Sequence, residues 1–435
     1  MEILLDKILG KRNIAVLSAL LTMGLLGGCG SEAAGAVEVS EVQALEEAGA
    51  EAFSANDNLG VEVVAGSDEI IGDESANQNG AANSVHIVMV GDILLHTPVE
   101  EAAKDDETGK YDFSFIFENT EDIIKSADIA IANQEVIIGG EELGVSGYPA
   151  FNAPYEIGDA LSAAGFDVIC HATNHALDKG KKGITNCLAY WRAAHPDMLV
   201  TGIYDNEKDA AVEAIPIIER GGIKIAVLNY TYGTNGIAAP ADMPYAVSEL
   251  NKDRVVAQLD LAEKEADFTI VCPHWGTEYN LGISGEQKKW AQLFRDHGAD
   301  LVIGTHPHVI EPVEFYEDED KENITNNHGG GDMPVYYSLG NFVNWTSGTG
   351  AGTADRMVGG IAEITVSRKG NGEVSVDDFD VKNIVCHVSY GDKNIRVYPL
   401  DEYTSDLASE NEIIKQDSSF SKEYCEKLCK EVYGD

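Results

Sequence analysis

Val85-His86-Ile87-Val88-Met89-Val90-Gly91-Asp92 is a short apolar run, rich in β-branched residues, that stops at a glycine and an acid. Such a run, apolar almost throughout, predicts a strand buried on both faces. Further runs of the same kind cover residues 127–132, 166–171, 223–229, 268–272, 301–303 and 335–339. Between several of them lie stretches with helical spacing of apolar residues, at 156–164, 183–194 and 286–297. Strands alternating with helices predict an α/β fold with much parallel pairing. After about Met357 the pattern turns to alternating strands around Gly370-Asn371-Gly372, a hairpin signal, and then to an acidic C-terminal helix.

Several of these strands run into polar residues of the metal-ligand type. The first ends at Asp92, and 127–132 leads into Asn133-Gln134-Glu135. The run 166–171 leads to Thr173-Asn174-His175, 268–272 to Pro273-His274-Trp275-Gly276, and 301–303 to Gly304-Thr305-His306-Pro307-His308. In open α/β sheets ligands bind beyond the carboxyl ends of the strands, so these residues are expected at one rim. Two carboxylates, an amide and several imidazoles suit first-row divalent metals such as Mn, Fe or Zn. His306 and His308, two apart on extended chain, project to one face. Asp92 and Glu135 are the natural anionic ligands, and either could bridge two ions. His96, four residues past Asp92, and Asn133 are candidates for substrate binding in the same pocket. The other histidines are expected to be structural or on the surface.

Away from this rim the chain is strongly acidic. Its 435 residues hold 74 Asp+Glu against 30 Lys+Arg, a formal net charge of −44. Nucleic-acid binding depends on Lys and Arg displacing counterions, so this surface argues against a nucleic-acid partner. Any anionic substrate would need a local positive charge, which a bound metal supplies. Residues 1–28, with Lys7, Lys11 and Arg12 ahead of an apolar run, have the proportions of a signal peptide. The run ends Leu26-Gly27-Gly28-Cys29, in the pattern of a lipoprotein cleavage site, with Cys29 as the lipidated residue. The expected location is the extracellular face of the cell membrane, held by that lipid. Residues 29–84 carry twelve acids and no Lys or Arg, a composition expected of a disordered tether. A folded domain is expected over 85–400 and an acidic helical tail over 401–435. The acidic stretch 317–332 is expected to be a surface loop. Apart from Cys29, the cysteines are scattered and receive no chemistry; Cys170 and Cys272 fall in apolar runs as small hydrophobes.

The strand-end residues also carry a family resemblance. Gly91-Asp92-Ile93-Leu94, Asn133-Gln134-Glu135, Phe151-Asn152-Ala153-Pro154 and Asn174-His175-Ala176-Leu177-Asp178-Lys179-Gly180 resemble, in order, the capsule-synthesis CapA family. The same holds for His274-Trp275-Gly276-Thr277-Glu278-Tyr279, Gly304-Thr305-His306-Pro307-His308 and Tyr337-Ser338-Leu339-Gly340-Asn341-Phe342. The resemblance covers roughly residues 85–367. It implies a role in capsule, poly-γ-glutamate, biosynthesis. It also implies a fold like the calcineurin-like metallophosphoesterases: a β-sandwich flanked by helices (α/β/β/α), with two divalent metal ions. On that resemblance Asp92 and His308 hold one metal, Asn174, His274 and His306 the second, and Glu135 bridges them. His175 would protonate the leaving group. Leu94 stands where the phosphoesterase Asp-x-His pattern has its histidine, and Thr173 replaces the first Asn of the family's Asn-Asn-His. Two functions from different classes follow: a membrane-anchored metal-dependent phosphoester hydrolase, or a non-catalytic metal-binding scaffold among capsule-synthesis complex proteins. Attack of a metal-activated water on the polymer's amide bonds is a variant of the first.

Overall fold

The computed structural model describes residues 84–317, 331–389, 391 and 394–434. The apolar segment with Cys29, the acidic stretch up to residue 83 and most of the insertion at 317–332 lie outside the described residues. Strands β1 (Ser84–Ile93), β2 (Ile129–Gln134), β3 (Val168–Cys170) and β4 (Leu199–Thr201) lie side by side and parallel. Helices α1 (Thr97–Ala103), α2 (Glu121–Ser126), α3 (Glu156–Ala164) and α4 (Gly180–Ala194) connect them.

A second sheet follows, built from β5 (Ile217–Arg220), β6 (Ile223–Thr231), β7 (Phe268–His274), β8 (Leu301–Ile303), β9 (Ile310–Tyr316) and β10 (Met333–Leu339). Its order is β5-β6-β7-β8-β10-β9, with α5 (Lys252–Glu265) and α6 (Gly285–Asp296) in the crossovers. The chain then returns to the first sheet. β11 (Asn341–Val343) pairs with the end of β1, and β12 (Val358–Arg368), β13 (Val374–Ser389) and β14 (Asn394–Pro399) complete the order β14-β13-β12-β1-β2-β3-β4. Helices α7 (Ser405–Glu410) and α8 (Lys422–Tyr433) end the fold.

The period-two alternation of the strands explains the layering. In β1, Val85, Ile87 and Met89 face the second sheet, where they meet Ile225, Val227, Ile270 and Ile303. Val88 and Val90 point the other way, into a core shared with Ile157, Leu161, Ile184 and Trp191 of α3 and α4 and with Leu428 of α8. In β6, Ala226, Leu228 and Tyr230 turn outward onto Val255 and Leu259 of α5 and Phe294 of α6. The result is helices, sheet, sheet, helices: the α/β/β/α sandwich expected from the resemblance. Cys170 and Cys272 are small hydrophobes in the layer between the sheets, and the six described cysteines are free. No helix among the described residues is long and apolar enough to cross a membrane.

Agreement with the runs read from sequence is close at the strands, and α3 spans the residues expected of it. β12 to β14 form an antiparallel meander beside β1, so the hairpin around Gly370-Asn371-Gly372 extends the first sheet of the sandwich.

Candidate metal centre

All five parallel strands that carry ligand-type residues, β1, β2, β3, β7 and β8, open toward the same rim. At β1 the approach is close. A Cβ on Gly91 would stand 2.0 Å from the Gly340 carbonyl oxygen, and that oxygen accepts from the Asp92 amide at 2.9 Å. Only glycine lets the two chains meet there, and the contact sets where Asp92 points. The sheets are also tied together at this level. Asn229 of β6 accepts from the Ala172 amide at 2.6 Å and donates to the Cys272 carbonyl at 2.8 Å, which joins the loop after β3 to β7.

The backbone after β8 is held in an uncommon conformation. His306 has φ +100° and His308 φ +59°. The only other described non-glycine residues with positive φ are Asn235 and Tyr279. Both border the same site: Asn235 lies 3.4 Å from the Asn174 amide, and the Tyr279 ring is 5.9 Å from that of His308. Such residues cost about 1–3 kcal/mol each and persist where the surroundings over-determine them. Here the Asp92 carboxylate accepts from the His306 amide at 3.2 Å.

Asp92, Glu135, Asn174, His274, His306 and His308 are all buried and converge. His308 Nδ1 is 3.2 Å from Asp92 Oδ2, and its Nε2 is 3.6 Å from Glu135 Oε1. His274 Nε2 lies 2.9 Å from Asn174 Oδ1 and 3.9 Å from Glu135 Oε1. On its other side, His274 Nδ1 meets Thr305 Oγ1 at 3.0 Å, which orients the ring. The His306 ring centroid is 4.8 Å from that of His274. Glu135 is therefore within 4 Å of both the His308 and the His274 imidazoles, as is Asp92, 3.8 Å from His274 Nδ1.

The electrostatics of this cluster call for a cation. Burial, followed by the neighbouring Asp92 carboxylate, pushes the Glu135 carboxyl well above the usual range, against the pull of His308. Burial also disfavours a charged His308, but Glu135 and Asp92 outweigh it and hold that imidazole at about 9. Burial and the other imidazoles keep His274 and His306 well below the ordinary histidine value, so both are neutral donors. Among the described residues, both Glu135 oxygens and His306 Nδ1 are buried without a hydrogen-bond partner. Buried polar atoms normally find partners, and unpaired ones cost about 1–3 kcal/mol each. A divalent metal would satisfy them, and nitrogen and oxygen donors are of the kind that hold one. Ligand atoms of Asp92, Glu135 and His308 lie within 4.8 Å of one another. So do those of Glu278, His306 and His308, which brings in a carboxylate outside the six.

His175 stands beside the cluster. Its Nδ1 is 2.7 Å from Asp178 Oδ2, and Asp178 also accepts from the Phe151 amide at 2.7 Å. A carboxylate partner requires a proton on Nδ1, so Nε2 is the nitrogen left to exchange one. The His175 ring rests edge-on against Phe151, with centroids 4.6 Å apart. Asn133, expected from the sequence to bind substrate, is buried and donates to Asp92 Oδ1 at 2.8 Å, so it orients that carboxylate. His96 lines a cleft of about 280 Å³ with Leu94, Tyr279, His308 and Arg356. Burial, then His308, His175 and Arg356, bring its imidazole down to about 4, so it is uncharged near neutral pH. A larger cavity of about 350 Å³, beside Trp191, His195 and Tyr204, contains no such grouping of ligand residues.

Asp178, Glu278, Tyr279 and Asn341 belong to the site without having been singled out in the sequence. Asp178 and Glu278 lie in loops whose course is not periodic, although each falls inside a string that carries the family resemblance. Asn341 Oδ1 is 3.1 Å from His308 Nδ1, a position set by the parallel pairing of β11 with β1.

The chain is similar to the capsule biosynthesis protein CapA of Bacillus anthracis, 30% identical over 274 residues, which are 60% of each chain. It is also similar to the PGA biosynthesis protein CapA of Bacillus subtilis, 27% identical over 300 residues, covering 67% of this chain and 70% of the other. Among solved structures it resembles the NAD nucleotidase of Haemophilus influenzae, with a TM-score of 0.41 and 12% identity over 80% of this chain and 66% of that one. A putative 5'-nucleotidase from Staphylococcus aureus gives a TM-score of 0.40 and 14% identity over 68% of this chain and 54% of the other. Residues 86–346, which hold every residue of the cluster, match the bacterial capsule synthesis protein PGA_cap, and the chain belongs to that family.

Proposed function

We propose that the chain is a metal-dependent phosphoester hydrolase of bacterial capsule, poly-γ-glutamate, biosynthesis, held at the outer face of the cell membrane by a lipid on Cys29. The observation that carries this reading is the convergence of two buried carboxylates, an amide and three imidazoles, with partnerless acceptor atoms, next to the His175–Asp178 pair. Asp92 and His308 would hold one divalent ion, Asn174, His274 and His306 a second, and Glu135 would be shared. A metal there supplies Lewis-acid polarisation of a phosphoryl oxygen and a water acidified toward neutral pH. The residues of the chain do the rest. Asn133 and Thr305 fix the ligands they touch, so the site needs little rearrangement on binding. His175, with Asp178 on Nδ1, offers a proton from Nε2 to the leaving oxygen.

A second reading, a metal-holding scaffold within a capsule-polymer synthesis complex, draws support from Leu94. This buried leucine replaces the histidine of the phosphoesterase pattern and leaves an apolar wall beside Asp92. Turnover of bis(p-nitrophenyl) phosphate by the full chain with Mn²⁺ separates the two. The hydrolase reading expects turnover by the wild type and losses of at least about a hundredfold in Asp92→Asn and His308→Ala. A metal-loaded wild type that turns over neither this diester nor a phosphomonoester panel would leave the scaffold.

A further inference from the structure

We infer that Arg356 is a substrate-binding residue that takes a second anionic group, a carboxylate or a phosphate, on the molecule whose reacting group sits at Asp92 and His308. This rests on the hydrolytic reading of the metal centre. Arg356 lies on a single 3-10 turn, Ala354–Met357, just before β12. Its guanidinium carbon sits 3.6 Å above the centre of the Tyr279 ring, and that ring is 5.9 Å from the ring of His308. One aromatic ring therefore separates a fixed positive charge from a metal-ligand candidate. Both ends open into the same cleft of about 280 Å³.

Arg356 makes no direct ion pair among the described residues, unlike four of the other arginines. Arg192, Arg220, Arg368 and Arg396 each pair with a carboxylate, as expected in so acidic a chain. Among the described residues Arg356 has no carboxylate within ion-pair distance, and its Nε is buried without a partner. The neighbouring Asp355 carboxylate is taken by the Tyr424 hydroxyl. A half-buried guanidinium on an aromatic face, with Asp355 acting on it only at a distance and no carboxylate in direct contact, is an arrangement that recognises a carboxylate or phosphate.

Arg356 is also held in place before any ligand arrives. It donates to Thr346 Oγ1 at 2.8 Å, and Gln416 Nε2 donates to the carbonyls of both Thr346 and Gly348. Such pre-ordering removes much of the entropic cost of ordering an arginine on binding. The mouth of the site is dressed for an organic substrate. Of the five large apolar residues exposed in the described structure, Tyr148 (75%) and Tyr279 (48%) line this cleft. Tyr232 (46%) lies against the His306 ring with centroids 4.5 Å apart.

The test is titration calorimetry on the full chain loaded with Mn²⁺, using phenyl phosphate, 4-carboxyphenyl phosphate and 1,4-phenylene bisphosphate. The wild type is expected to hold at least one doubly anionic probe roughly tenfold more tightly than phenyl phosphate, and the tighter of the two names the anion. In Arg356→Gln that ratio falls to near one. Arg356→Lys keeps the charge but loses the planar seat on Tyr279, and is expected to give an intermediate ratio even if Arg356→Gln does not fold. Equal affinities for the three probes in the wild type overturn the assignment, as does a ratio that survives in Arg356→Gln. A clear preference with no turnover of any probe, nor of bis(p-nitrophenyl) phosphate, sinks the hydrolase reading and leaves Arg356 as an anion site. No binding of any probe overturns both.

Discussion

The His175 side chain hydrogen-bonds Asp178 and packs on Phe151, so its proposed role as proton donor can be tested apart from metal binding. A proton donor matters when the leaving oxygen is basic and hardly at all when it is a nitrophenolate. His175→Ala is therefore expected to cut kcat on phenyl or alkyl phosphodiesters by about 10²–10⁴-fold, and on p-nitrophenyl esters far less. Asp178→Asn, which disturbs the Nδ1 partner and the Phe151 contact, should show the same leaving-group dependence at a smaller size, about 10–100-fold. Equal losses on both ester classes would show that His175 only shapes the site. At this scale much was legible in the sequence. Asp92, Glu135, Asn174, His274, His306 and His308 each lie at or just past the end of a strand, and the strand-end rule gathers them. Asp178 and Glu278 are placed by loop backbone, including the positive φ of Tyr279 beside Glu278, and no periodicity signals that.

The elements that aim these side chains depend on close backbone contact. Gly91 meets the Gly340 carbonyl, and Gly304 meets that of Tyr337, where an added Cβ would stand at 2.2 Å. Gly91→Ala must push β1 away from β11 and is expected to destabilise the protein by at least about 1–3 kcal/mol in urea unfolding. Gly285→Ala, at the first turn of α6 with open space around it, should be neutral or stabilising by up to about 1 kcal/mol. Similar unfolding midpoints for the two variants would contradict the tight β1–β11 contact. Strands with strong apolar runs were readable, and so was α3. The insertion of β12 beside β1 and the return of β11 were not, because both are pairings between residues more than two hundred positions apart, and local pattern carries no information about partner choice.

Over the whole molecule the formal charge of −44 divides the chemistry into a repelling surface and a few interior acids. Burial raises the Glu100 and Glu311 carboxyls to about 8, and Glu311 keeps one oxygen without a hydrogen-bond partner among the described residues. The other accepts from Gln287 at 2.5 Å, the residue that also completes the capping box of α6 with Ser284. An acid whose folded pKa lies above its unfolded value of 4.5 stabilises fully below that value, and the contribution is lost as pH rises toward 8. Stability should accordingly fall between about pH 5 and pH 8, and Glu311→Gln should flatten that slope in urea unfolding at the two pH values. A wild-type slope that is flat, or that the variant leaves unchanged, would contradict it. Against this acidic background, the buried cluster brings two carboxylates together with Glu135 unpartnered among the described residues, and positive charge would relieve it. Metal content per chain, measured on the full protein after incubation with Mn²⁺ or Zn²⁺ and dialysis, tests this most directly. The wild type is expected to retain metal and Glu135→Gln, of the same shape but without the charge, to lose most of it; a wild type that retains no more than Glu135→Gln would contradict a metal centre at these strand ends.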